Sequence, residues 1–176
     1  MTRLTTGSCA AALLVLAGLP AGADAFDCPV TRPDDWPNPS VPMGLGDSHA
    51  WYGSNLLAAA IPRTGTWHGM GKAANYRNKF WWWREGFSGA DEPKPDLEIT
   101  ALRLDGEHQR FVVRDATNGS GINGDWSAML VGMEFPSDGC WELRGRYNQR
   151  EELVIVVHVR DRPAADEVRF TDRRLP

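Results

Sequence analysis

The sequence predicts an all-β domain, a sandwich of short antiparallel strands. Three observations carry that prediction. Residues 140–147 alternate apolar and polar side chains with a period of two, and Leu153, Ile155, Val157 and Val159 recur on one face of the next run, the spacing of strands with one buried face. Short aromatic or β-branched runs recur upstream and are punctuated by Asp-Gly, Asn-Gly and Pro-Ser-Asp-Gly turns. No segment carries the 3.6-residue apolar period of a long helix.

In chain order, the first expected element is an export signal over residues 1–25. Arg3 is followed by an apolar run over 9–19, then Pro20 and an A-x-A site at Ala23-Asp24-Ala25. The run is too short to cross a bilayer, which takes ~20 residues, and no later run is longer. Cys9 opens the run instead of following it. Phe26 and Asp27 stand before Cys28, where a lipoprotein signal would place small residues. The expectation is therefore a periplasmic or secreted protein with no membrane span after cleavage. What remains is one domain's worth of chain. A net charge of −4 argues against nucleic acid and anionic membranes as partners. With 42% hydrophobic residues and 8 Trp, the chain has the means to build a core.

Loss of the signal removes Cys9 and leaves Cys28 and Cys140. An even pair in an oxidising compartment predicts a Cys28–Cys140 disulfide in preference to two free buried thiols.

Residues 26–50 read as an irregular arm, dense in Pro and Gly over 29–50. Proline lacks an amide donor and fixes φ, so the stretch is excluded from the middle of a sheet. It is expected to lie over the domain, pinned by Cys28 and Trp36. Residues 51–176 are assigned to the sandwich. Residues 51–61 are ambiguous, because 56–60 also fit a helical turn. Residues 78–84 are aromatic, as strands are. Residues 97–104 run into Asp105-Gly106, with 111–113 as the return strand. Residues 115–126, with two Asn-Gly pairs, read as a loop; 127–135 read as a strand closed by the turn at 136–139. The final hairpin places Trp141, Leu143, Gly145 and Tyr147 on one face and Cys140, Glu142, Arg144 and Arg146 on the other.

The segment Gly139-Cys140-Trp141-Glu142-Leu143-Arg144-Gly145-Arg146-Tyr147, with 153–159, resembles the closing F–G hairpin of immunoglobulin-like sandwiches. In that resemblance Trp141 takes the place of the corner tyrosine and Leu143 that of the core cysteine. Two departures follow. Cys140 has outward parity, and an indole cannot make the tyrosine corner's hydroxyl bond. With Trp51-Tyr52-Gly53 and Phe80-Trp81-Trp82-Trp83-Arg84, residues 43–160 also resemble uncharacterised bacterial exported proteins and lipoproteins. That resemblance implies an immunoglobulin-like fold and an envelope compartment, and brings no chemistry.

Catalysis finds little footing. Ser54 follows Gly53 without a G-x-S-x-G turn. The carboxylates Asp91 with Glu92, and Asp96 with Glu98, sit in or beside a proline-containing stretch that reads as a solvated loop. An enzyme is not expected, nor is a cofactor. His49, His68, His108 and His158, with Met43 and Met70, offer imidazole and thioether ligands of the type copper takes, though at no defined ligand spacing. Asp115, Asn118, Asn123 and Asp125 offer oxygens for calcium without the EF-hand order.

The densest chemical feature is Phe80-Trp81-Trp82-Trp83-Arg84. Phe80 and Trp82 should face one side of a strand, Trp81 and Trp83 the other. One pair suits a core. The other suits either burial under the arm or an exposed platform that stacks on a sugar or peptide, with Arg84 beside it. The expected function is a binding or structural module of the cell envelope, with an envelope protein or glycan as partner. The alternative is a periplasmic copper-handling protein.

Overall fold

A computed structural model describes residues 26–33, 41, 44–45, 47–69, 76–120 and 126–160. Within them the chain forms ten strands and no α-helix. The expected signal at 1–25, Trp36 and the segment 161–176 lie outside the described residues.

The carboxyl-terminal hairpin forms as its alternation demands. Strands β9 (Gly139–Tyr147) and β10 (Glu151–Arg160) pair antiparallel, with Leu143 opposite Ile155 and Trp141 opposite Val157. Trp141, Leu143, Tyr147, Ile155, Val157 and Val159 are buried. Strand β5 (Leu97–Arg103) pairs with the other side of β9, and β6 (Arg110–Val113) pairs with β5 beyond the Asp105-Gly106 turn. A short strand β3 (Thr66–His68) completes this sheet, in the order β3-β10-β9-β5-β6.

The second sheet has the order β1-β2-β4-β8-β7. Its centre is the aromatic β4 (Tyr76–Trp83) paired with the apolar β8 (Ser127–Phe135). Strands β1 (His49–Gly53) and β2 (Ala58–Pro62) form a hairpin, so a helical turn at 56–60 is excluded. Alanine's helix propensity is a weak term. Here Ala58, Ala59 and Ala60 are buried between apolar layers on both faces of the sheet. Strand β7 (Thr117–Ser120) lies inside the segment 115–126 expected to be a loop. Thr-Asn-Gly-Ser has little strand character of its own, and β8 supplies the pairing.

The sandwich is not wholly antiparallel. The chain leaves the second sheet at Pro62 and turns through residues 63–65, where Gly65 has φ 70°. It then joins the first sheet as β3, parallel to β10, with Thr66 opposite His158. No hairpin links β3 to β10, so nothing imposes antiparallel direction.

The sheets pack face to face around Ile61, Phe80, Trp82, Met129 and Val131 from one side and Ile99, Trp141, Leu143, Ile155 and Val157 from the other. A second apolar layer covers the outer face of the β4 sheet, built from Trp51, Ala58, Ala60, Trp83 and Ala128. Val41 and Leu45 of the arm pack on that layer. At its other end the arm meets the β10 sheet. Thr31 donates its N–H to the Val156 carbonyl at 2.8 Å and accepts the Val156 N–H on Oγ1 at 2.8 Å. Cys28 and Cys140 form a disulfide with Cα atoms 5.5 Å apart. The arm thus touches both sheets.

Candidate functional site

A cleft follows directly from the sheet switch. Strand β2 pairs with β4 only at Ala58–Trp83 and Ala59–Trp82. Beyond that point β2 stays with β1, and the chain then departs to the other sheet as β3. Residues 77–81 of β4 therefore have β8 on one side and, among the described residues, no paired strand on the other. The opening is a cavity of about 330 Å³. Trp67 and Phe80, both buried, form its floor, with ring centroids 3.4 Å apart. Ala60 and His49 line one side, Asn78, Lys79 and Trp81 the other, and Leu45 of the arm borders it.

Trp81 is half-buried. It packs edge-to-face on Trp126, with centroids 5.9 Å apart. Beneath it lies Gly119 of β7, where any Cβ would fall 2.6 Å from the Trp81 ring. Its orientation is thereby fixed by packing. Ser48 Oγ lies 2.9 Å from His49 Nδ1, and burial holds the His49 pKa below its ordinary value. That imidazole is neutral at pH 7 and offers both a donor and an acceptor. Lys79 makes no ion pair among the described residues, whereas its neighbour Arg77 is held by Glu134 at 2.9 Å.

The five residues singled out in the sequence are therefore separated. Phe80 and Trp81 line the cleft. Trp82 is 1% exposed in the central core, and Trp83 is buried in the outer layer. Arg84 turns away to the end of the sandwich and lines a different cavity of about 350 Å³, with Leu56, Tyr147 and Arg150.

At that end Arg84 is already occupied. Its Nη2 lies 2.7 Å from Glu92 Oε1, its Nη1 donates to the Glu85 carbonyl at 3.0 Å, and its guanidinium sits 4.9 Å from the centroid of the Tyr147 ring. The Tyr147 hydroxyl donates to Glu92 Oε2. Burial raises the Tyr147 pKa, and Glu92 adds to the rise. The sequence assigned Glu92 to a solvated loop. It is instead the partner that ties the β4–β5 loop to the end of β9. Residues 55 apart in sequence make this contact, and no local pattern announces it.

The metal candidates are dispersed. His49 lies on β1, His68 at the end of β3, His108 in the β5–β6 turn and His158 on β10. Met43 and Met70 lie outside the described residues. Among the described residues no group of three or more His, Cys, Asp or Glu is placed to hold a metal ion. Of the calcium candidates, Asn118 is committed to the carbonyls of Gly89 and Pro93 through its amide nitrogen; Asn123 and Asp125 lie outside the described residues. No helix among the described residues is long and apolar enough to cross a membrane. Comparison with protein-family models, with curated proteins and with solved structures finds no match to this chain.

Proposed function

We propose that this protein is an exported, immunoglobulin-like binding module of the cell envelope, and that its ligand enters the cleft between β2 and β4. The strand orders support the fold assignment. The runs β2-β4-β8-β7 and β6-β5-β9-β10 follow the A-B-E-D and C′-C-F-G orders of variable-type immunoglobulin sandwiches. In that correspondence β1 and β3 are additions at sheet edges. The contact that bridges strands B and F falls on Trp82 and Gly145, one inward position beyond Leu143.

The cleft carries the functional assignment. It combines an aromatic floor, a half-exposed indole held in place by Trp126 and Gly119, and the polar groups of His49, Asn78 and Lys79. Ligand sites pair apolar walls with a few polar groups in this way, and tryptophan is enriched among residues that dominate binding energy. The disulfide fits an oxidising compartment.

The test is a titration of the purified protein, followed by tryptophan fluorescence, with envelope glycan fragments and with a random-peptide library. Binding by one of the two classes is expected, and Trp81→Ala should abolish it while the protein stays folded. No binding by either, or equal binding by Trp81→Ala, would reject the cleft as the site.

A further inference from the structure

We infer that the cleft takes an extended peptide segment bearing an acidic side chain, paired as an added strand along the open side of β4. The inference rests on the cleft being the binding site, and it adds the class of ligand. In a strand, successive residues turn their N–H and C=O groups to opposite sides. Strand β8 satisfies one side of β4 from Tyr76 to Trp82. The other side is paired only at Trp82 and Trp83 among the described residues. Two of the four residues Asn78, Lys79, Phe80 and Trp81 therefore direct their backbone groups away from β8; the Lys79 N–H donates to Asn78 Oδ1 at 2.8 Å, a local contact that an added strand would replace. Unpaired strand edges are templates for another strand, and peptide-binding domains use them so.

The side chains around this edge match a strand as well. Alternate side chains of an added strand point to opposite faces. One set would meet the Trp67–Phe80 floor, and the other would meet Trp81 and Lys79 on the outer face. Lys79 is the cation without an ion-pair partner among the described residues here, since Arg77 is held by Glu134. An acidic residue in the outward set would pair with it. A sugar would use the indole but would not continue the β4 ladder, which is why the peptide is favoured.

The probe is a phage-displayed library of random heptapeptides selected on the immobilised protein, followed by synthesis of one selected sequence. Selection should enrich Asp or Glu among alternating apolar residues, and Lys79→Glu should reverse the preference to Lys or Arg. N-methylation of the synthetic peptide at alternate residues should weaken binding about tenfold or more in one phase of the alternation, as loss of one backbone hydrogen bond predicts. Amides of residues 78–81 that exchange fast in the free protein should become protected. Equal binding by both N-methylated series, or unchanged exchange at 78–81, overturns the strand-pairing proposal. Oligosaccharide binding that depends on Trp81, with no peptide selected, also overturns it and leaves the cleft standing. If peptides are selected but bind Trp81→Ala as well as the original protein, with equal melting temperatures, the cleft itself is refuted and the proposal falls with it.

Discussion

The indole of Trp82 rests on the bare Cα of Gly145 across the two sheets: a Cβ built on Gly145 would fall 2.3 Å from Cζ3 and 2.4 Å from Cη2 of the ring. The largest side chain of one sheet thus occupies the space left by the smallest residue of the other. Gly145→Ala is expected to cost about 1–3 kcal/mol through overpacking, and Trp82→Ala about 3–5 kcal/mol through a cavity. Urea unfolding of each measures both. Combining Gly145→Ala with Trp82→Phe should cost less than the sum of the singles, because the pair shares one volume.

Trp81 and Trp82 are neighbours with different expected fates. Trp82 is 1% exposed, whereas Trp81 is half-buried on the cleft. Trp81→Ala is expected to lower stability by no more than about 2 kcal/mol, against about 3–5 kcal/mol for Trp82→Ala. Melting curves of the two single variants decide it. Comparable, severe losses in both would show that Trp81 is a core residue and remove it from the cleft's chemistry.

The Cys28–Cys140 bond joins residues separated by 112 positions. Loop-closure entropy assigns such a bond about 4–5 kcal/mol. Replacing both cysteines with serine should lower stability by up to that amount, read by denaturant unfolding. Thiol titration of the denatured, unreduced protein should detect no free thiol from this pair.

Asp105 gives the protein an acid-sensitive clamp. Its Oδ1 accepts the Cys140 N–H at 2.9 Å and the Arg103 Nε–H at 3.0 Å. Burial alone would raise its pKa, but those bonds and the Arg103 charge outweigh it and hold the pKa below the ordinary carboxylate value. A folded-state pKa below the unfolded one means that the unfolded chain binds the proton more readily. The stabilisation is therefore full above about pH 4, the ordinary aspartate value, and is lost as pH falls through the lower folded-state value. Asp105→Asn should melt below the original protein at pH 7, with the gap closing as pH is lowered toward 2. A gap that is constant with pH would show that the charge contributes nothing.

The hairpin of β9 and β10 and strands β4, β5 and β8 were legible because each is written locally, as a period of two or a cluster of aromatic or apolar residues; the disulfide was legible by count, because loss of Cys9 leaves a single pair. The strands that were not legible are those whose existence depends on their neighbours. Ala58–Pro62 has no alternation because both of its faces are covered. Thr117–Ser120 is a strand only because β8 lies beside it. The aromatic run was recognisable as chemistry, yet its division among core, outer layer, cleft and loop end follows from where β2 abandons β4, which is a tertiary event. Glu92 and Tyr147 belong to the same category, since the bond between them spans 55 positions.

The placement of the disulfide has a consequence for the order of events during synthesis. Cys28 leaves the ribosome 112 residues before Cys140 does. Eight of the ten strands are translated while Cys28 still lacks its partner. The bond can close only once β9 has been made, and from then on it fastens the amino-terminal arm to the start of β9.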